Sequence, residues 1–173
     1  MWFLVNDKPA CFGLKEFALI TGLNCGSYPS QSREDRTIKK GAEFYTKVTR
    51  KKKITSDKLL SVIRGPRLNK EEKLKCCLVW FLHTILMAKD VSRGVDADWF
   101  KMADDLEFFQ SYPWGKESFE LTLEYLMDKV DVPRHHQTHL DKKTPSYALY
   151  GLPWALMVWT YEAFPALGLH ASK

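Results

Sequence analysis

Nine cations fall within 21 positions of the chain: Arg33, Arg36, Lys39, Lys40, Lys47, Arg50, Lys51, Lys52 and Lys53. Phe44, Tyr45, Thr46 and Thr49 are interleaved with them. Cations displace the counterions condensed on a phosphate backbone, and hydroxyls and aromatics among them suit contacts to phosphate and sugar. The chemistry this spacing points to is binding of double-stranded DNA. The planar fork of arginine matches the guanine edge in the major groove, whereas lysine holds the backbone, so Arg33, Arg36 and Arg50 are candidates for base reading and the lysines for affinity. Tyr45 and Thr49 belong to the same candidate set, and Arg67 and Lys70 extend it to the start of the next long helix. Two plainer readings fit these residues: a solvated cationic face, and, for residues 50–53, a nuclear import signal.

The charge is unevenly spread. Residues 31–75 hold 15 Lys or Arg against 6 Asp or Glu, a local net of +9, while the other 128 residues hold 11 against 15. The overall +5 is therefore a cancellation, and polarity of this kind concerns a partner. In a second polar island, Arg134, His135, His136, Lys142 and Lys143 offer further phosphate contacts. His135 and His139 have a helical chelating interval, but Pro133 precedes them, no carboxylate or Cys completes a tetrahedral set nearby and Asp141 alone is weak, so no metal is expected.

Enzyme chemistry is poorly represented. There is no Gly-rich phosphate loop, no Gly-x-Ser-x-Gly elbow and no Cys with a His partner, and no cofactor or small-molecule substrate is implied. The acidic pairs Asp104–Asp105 and Glu120 with Glu124 fit a helix's solvent face. His83 reads as a hydrogen-bonded interior residue, and Trp99, Trp114, Trp154 and Trp159 as core. Cys11, Cys25, Cys76 and Cys77 form no CxxC pair and read as reduced core thiols of an intracellular protein. The most apolar stretches, residues 76–88 and 152–169, are too short or too interrupted to span a bilayer, and the N-terminus lacks the pattern of a signal peptide.

The elements that must position these residues follow from periodicity. Residues 2–5 and 9–12 read as a hairpin around Asn6–Asp7, and residues 14–21 as a helix with Gly22 at its C-cap. Residues 24–36 read as loop, and the basic stretch that follows, 39–53, has no strong helical period. Residues 31–54 are therefore expected as a basic loop or hairpin insertion. A helix follows over residues 57–64, then the longest one over 70–89, opened by the Asn69/Glu72 capping box. Its apolar residues Leu74, Cys77, Leu78, Phe81, Leu82, Ile85 and Leu86 make it the expected central core helix. The two suggest a helix-turn-helix, but the second is apolar around most of its circumference, which disfavours it as a groove reader. Helices at about 98–109, 116–130 and from Pro153 onward complete the expectation: a mainly α (α+β) single domain over residues 1–173, with five or six helices and a small N-terminal β-hairpin.

Four strings carry a resemblance: Trp2-Phe3-Leu4-Val5, the run from Phe12 to Gly26, Ser111-Tyr112-Pro113-Trp114-Gly115-Lys116-Glu117-Ser118-Phe119-Glu120, and Tyr150-Gly151-Leu152-Pro153-Trp154-Ala155-Leu156. Across residues 2–167 the chain resembles a plant-specific domain of unknown function found in Mutator-like transposon proteins, often upstream of a SUMO-protease-like domain. The resemblance implies a nuclear, transposon-encoded protein. A subset of that family, the anti-silencing proteins of VANDAL-type elements, is similar to sequence-specific factors acting on their own element's DNA. The shared strings are aromatic and apolar, and carry over no catalytic residue. The alternative expectation is a protein-interaction module, using the acidic and aromatic body at residues 99–124 to position a protease or chromatin factor.

Overall fold

The computed structural model describes residues 1–5, 7–50, 52–129 and 149–165. They form a two-stranded hairpin followed by helices, the mainly helical class expected from periodicity. Backbone contacts divide the chain into two compact units, one built from residues 1–25 and 114–173, the other from the contiguous stretch 26–113.

In the first unit, β1 (Trp2–Val5) pairs antiparallel with β2 (Lys8–Cys11) in the register Trp2 to Cys11. Alternation along β1 turns Phe3 onto Trp159, with ring centroids 5.5 Å apart, and leaves Trp2 and Leu4 exposed. α1 (Leu14–Thr21) ends at Gly22 in the left-handed conformation. α8 (Trp114–Glu124) continues into a π-helical turn at Tyr125–Lys129, and α9 spans Trp154–Ala163. Phe12, Phe17, Phe119, Ala155 and Trp159 form the buried centre. Thr122 accepts a hydrogen bond from the Leu152 amide at 2.8 Å and donates to the Ser118 carbonyl at 2.7 Å, which fixes the approach to α9. Trp154 departs from expectation: at position one of α9 it faces outward, 58% exposed.

The second unit holds α2 (Gln31–Lys40), α3 (Ala42–Thr49), α4 (Ser56–Arg64), α5 (Lys70–Phe81) with a π-helical turn at Leu82–Leu86, α6 (Ala97–Ala103) and α7 (Leu106–Ser111). Two expectations change here. The basic stretch is a pair of helices instead of a loop or hairpin, because tertiary contact supplies what its polar sequence lacks: α2 and α3 both pack on α6. The helix expected at 98–109 is two, since the Asp105 carboxylate accepts from the Phe108 amide at 3.0 Å and caps a fresh start. Nine α-helices therefore stand among the described residues, against five or six expected.

The hub of this unit is α6, not α5. α2, α3, α5 and α7 all pack against it, burying Trp99, Phe100, Met102 and Ala103. α5 is rolled relative to its expected face: Lys75, Cys76, Val79, Leu82 and His83 are buried, while Leu74, Cys77, Phe81 and Ile85 are exposed. Burial pushes the Cys76 thiol up to about 12. His83 is interior as expected, but neither ring nitrogen makes a well-formed hydrogen bond, and its ring sits edge-on to Trp99 at 6.1 Å.

Candidate nucleic-acid interface

α2 carries Arg33, Arg36, Lys39 and Lys40, all exposed. At 100° per residue these four occupy roughly a 120° arc. Glu34 and Asp35 fall outside that arc, and Thr37 on another side is the one buried residue of the helix. The arginines are held from behind. The Arg33 guanidinium lies 5.5 Å from the Phe108 ring centre, and Arg36 Nε donates to the Ser32 carbonyl oxygen at 3.1 Å. At the joint to α3, a methyl group on Gly41 would stand 2.1 Å from the Lys101 carbonyl oxygen, so only glycine lets this corner approach α6 so closely.

α3 turns Phe44, Val48 and Thr49 inward. Thr49 is therefore no surface hydroxyl: it is 6% exposed and donates to the Tyr45 carbonyl at 2.9 Å. Tyr45 is half-buried, its ring 6.1 Å from Phe100 and beneath the Lys101 ammonium at 5.8 Å. Lys47 reaches the Glu72 carboxylate, and that contact, with the Asn69 amide on the other oxygen, holds the Glu72 carboxyl below its usual range. Arg67 donates to the Val48 carbonyl. Lys47, Arg67 and Lys70 are thus gathered where α3 meets the start of α5.

Arg50 ends α3 in the left-handed region, at φ 54° and ψ 38°, with its amide bonded to the Thr46 carbonyl at 2.8 Å. Lys52 and Lys53 follow, both exposed. The Val95 amide bonds the Ile54 carbonyl at 2.8 Å and pins the end of this turn. Lys51, Arg134, His135, His136, His139, Lys142 and Lys143 lie outside the described residues.

Two features escape a linear reading. Lys75, counted among the cations of the basic stretch, is 8% exposed and pairs with Glu71 at 2.9 Å and Asp104 at 3.1 Å. Desolvation pulls its pKa down, but the two carboxylates outweigh it and the value ends above the ordinary lysine range. Lys58 and Arg64 on α4 are exposed cations that the candidate set omits; their proximity to the nine-cation cluster in sequence was the available signal. Among the described residues no three His, Cys, Asp or Glu side chains group as a metal site, and no helix is long and apolar enough to cross a membrane.

The aromatic body at 99–124 is largely interior: Trp99, Phe100, Phe108, Phe109, Trp114 and Phe119 are all buried. Residues 1–125 match the family model described as a domain of unknown function, DUF1985. The match does not reach the Tyr150–Leu156 string. No curated protein and no solved structure matches the chain.

Proposed function

The chain belongs to the DUF1985 family, a domain of unknown function, and from the cations that its second unit exposes we propose that it is a duplex-DNA-binding domain. The observation that carries this reading is the carboxylate-free arc of Arg33, Arg36, Lys39 and Lys40 on α2. Exposed cations on one side of a helix follow a phosphate backbone, and the arginines among them have the fork to read base edges. Lys52 and Lys53 beyond α3 add sequence-independent grip. The resemblance of the Tyr-Pro-Trp-Gly and Gly-Leu-Pro-Trp-Ala-Leu strings to Mutator-like transposon proteins supports a nuclear setting, with the element's own DNA as target and anti-silencing or regulation of that element as the role. The test is a mobility shift against a random duplex library, with sequencing of the bound fraction. Neutralising five to eight phosphates gives a log–log salt slope of about −4 to −7. Binding independent of salt, or no bound duplex, sinks the reading.

A second reading, protein docking with the basic run acting only as an import signal, is favoured by one observation. On α9, Trp154, Met157, Val158 and Tyr161 recur at i, i+3, i+4 and i+7 and all are at least 41% exposed. Under it, Lys52→Ala with Lys53→Ala abolishes nuclear import and leaves partner capture intact.

A further inference from the structure

Ser32 stands inside the cationic arc of α2, on the same side as Arg36 and Arg33. It is exposed, and its hydroxyl lies 3.4 Å from that of Ser30. Arg36 Nε is bonded to the Ser32 carbonyl oxygen at 3.1 Å, which holds the guanidinium across the first turn. Ser30 occupies the N-cap but its hydroxyl accepts from no backbone amide of the helix, so the backbone bonds of the first turn are those from Arg33 at 2.9 Å and Glu34 at 3.2 Å to the Ser30 carbonyl. A turn held that way frays readily. Glu34 and Asp35 follow Ser32 at the second and third positions, and no other serine or threonine of the chain has carboxylates at both.

We propose that Ser32 is a phosphorylation site for an acidophilic protein kinase, and that its phosphate silences the cationic stripe. The inference rests on the duplex-binding reading and adds a control to it. A kinase of this class reads carboxylates after the acceptor with its own cations, and opening of the first turn would present Ser32 with Glu34 and Asp35 in extended form. Ser32 Oγ attacks the γ-phosphorus of ATP, the bond from that phosphorus to the β,γ-bridging oxygen breaks, ADP leaves, and the hydroxyl proton passes to a carboxylate of the kinase. The product carries nearly two negative charges at neutral pH. Its oxygens meet the uncapped amides of the first turn and the positive end of the helix. Arg36, four residues on, is in reach for an ion pair along the helix surface. Glu34 and Asp35 oppose the phosphate, so Arg36 is the group that holds it and is then lost to DNA, while the remaining negative charge offsets a second cation of the stripe.

The experiment treats the full chain with an acidophilic kinase and ATP, then maps the product by mass spectrometry of peptides. Phosphate on Ser32 in the wild type, and its loss in the E34Q/D35N double variant, is expected; no incorporation at Ser32 overturns the proposal. In mobility shifts at about 0.1 M salt the phosphorylated chain binds duplex at least ~10-fold more weakly, with the salt slope reduced by roughly 2 as the nearly two negative charges of the phosphate offset two cations of the stripe. Ser32→Ala binds as the unmodified chain does and ignores the kinase. Equal affinity before and after phosphorylation overturns the silencing. Phosphorus NMR supplies a readout independent of DNA: the second ionisation of the Ser32 phosphate lies lower in the wild type than in Arg36→Gln, and equal values overturn the pairing. If the unmodified chain binds no duplex while the phosphate still titrates low, the DNA reading falls and the Ser32–Arg36 pair stands.

Discussion

Arg50 and His83 each sit where their residue type is costly. A non-glycine residue in the left-handed region bears about 1–2 kcal/mol of steric strain, and helix C-termini usually place glycine there. Arg50→Gly should therefore raise thermal stability, by about 1 kcal/mol or roughly 2–4 °C for a chain this size, while weakening duplex binding. A lower melting temperature would refute the strain argument. His83 is 0% exposed. Burial pushes its pKa below the usual histidine value, the Asp90 backbone opposing and Lys89 adding to the effect. The unfolded chain then takes up a proton that the folded one refuses. Stability conferred by the neutral ring is complete above the unfolded pKa of about 6.5 and declines as pH falls below it. Melting temperatures at pH 7.5 and 5 should converge in His83→Leu relative to the wild type; an unchanged gap would show that His83 is not the group concerned. Sequence alone marked both residues as notable types, but neither a backbone angle nor a missing hydrogen bond leaves a trace in residue spacing.

Among the elements, hydrophobic periodicity located α1, α4, α5 and α8 to within a few residues, because each carries enough apolar side chains to show a helical stripe. It misjudged which stripe of α5 turns inward. The helix is apolar over much of its girth, so two overlapping stripes satisfy the same interval, and the buried one includes a lysine. The carboxylates of Glu71 and Asp104, the latter from outside α5, and the Phe44 ring 5.7 Å from its ammonium make Lys75 acceptable there. The π-helical turn at Leu82–Leu86 then shifts the register by a further residue. The roll predicts an asymmetry between neighbours: Leu82→Ala should cost ~2–5 kcal/mol, and Phe81→Ser at most ~1. Urea midpoints measure it; equal losses would mean that Phe81 is buried after all. α2 was illegible for the opposite reason. Apart from Ile38 its ten residues are polar or charged, and its single buried side chain is Thr37, so no apolar stripe announces a helix that α6 and the Phe108 ring stabilise from outside. The candidate cations were legible as residue types; that Arg33, Arg36, Lys39 and Lys40 share one arc of α2 was not.

The whole molecule places all of the basic stretch in one contiguous unit. Residues 26–113 hold 18 basic and 12 acidic side chains, a net of +6, and the flanking residues come to −1. Composition located the cations within residues 31–54, but the body that shapes them extends to Pro113, where α6 and α7 supply Phe100, Lys101 and Phe108. A fragment of residues 26–113 should therefore fold alone and bind duplex with a salt slope within about 1 of the full chain. A fragment that is folded by circular dichroism yet inert toward DNA would place essential contacts elsewhere.

The Gly115 amide donates to the Asn24 carbonyl at 2.9 Å, and a methyl on Gly115 would lie 2.6 Å from Leu23 Cβ. The chain thus returns to the end of its first segment after 88 intervening residues, 26 through 113. On a ribosome adding ~5–20 residues per second, that return comes roughly 4–18 s after Cys25 is joined. Through that interval Phe12 and Phe17 have no Phe119 or Trp159 to cover them. The nascent hairpin and α1 are therefore the segment on which a chaperone would act during synthesis, until α8 and α9 follow.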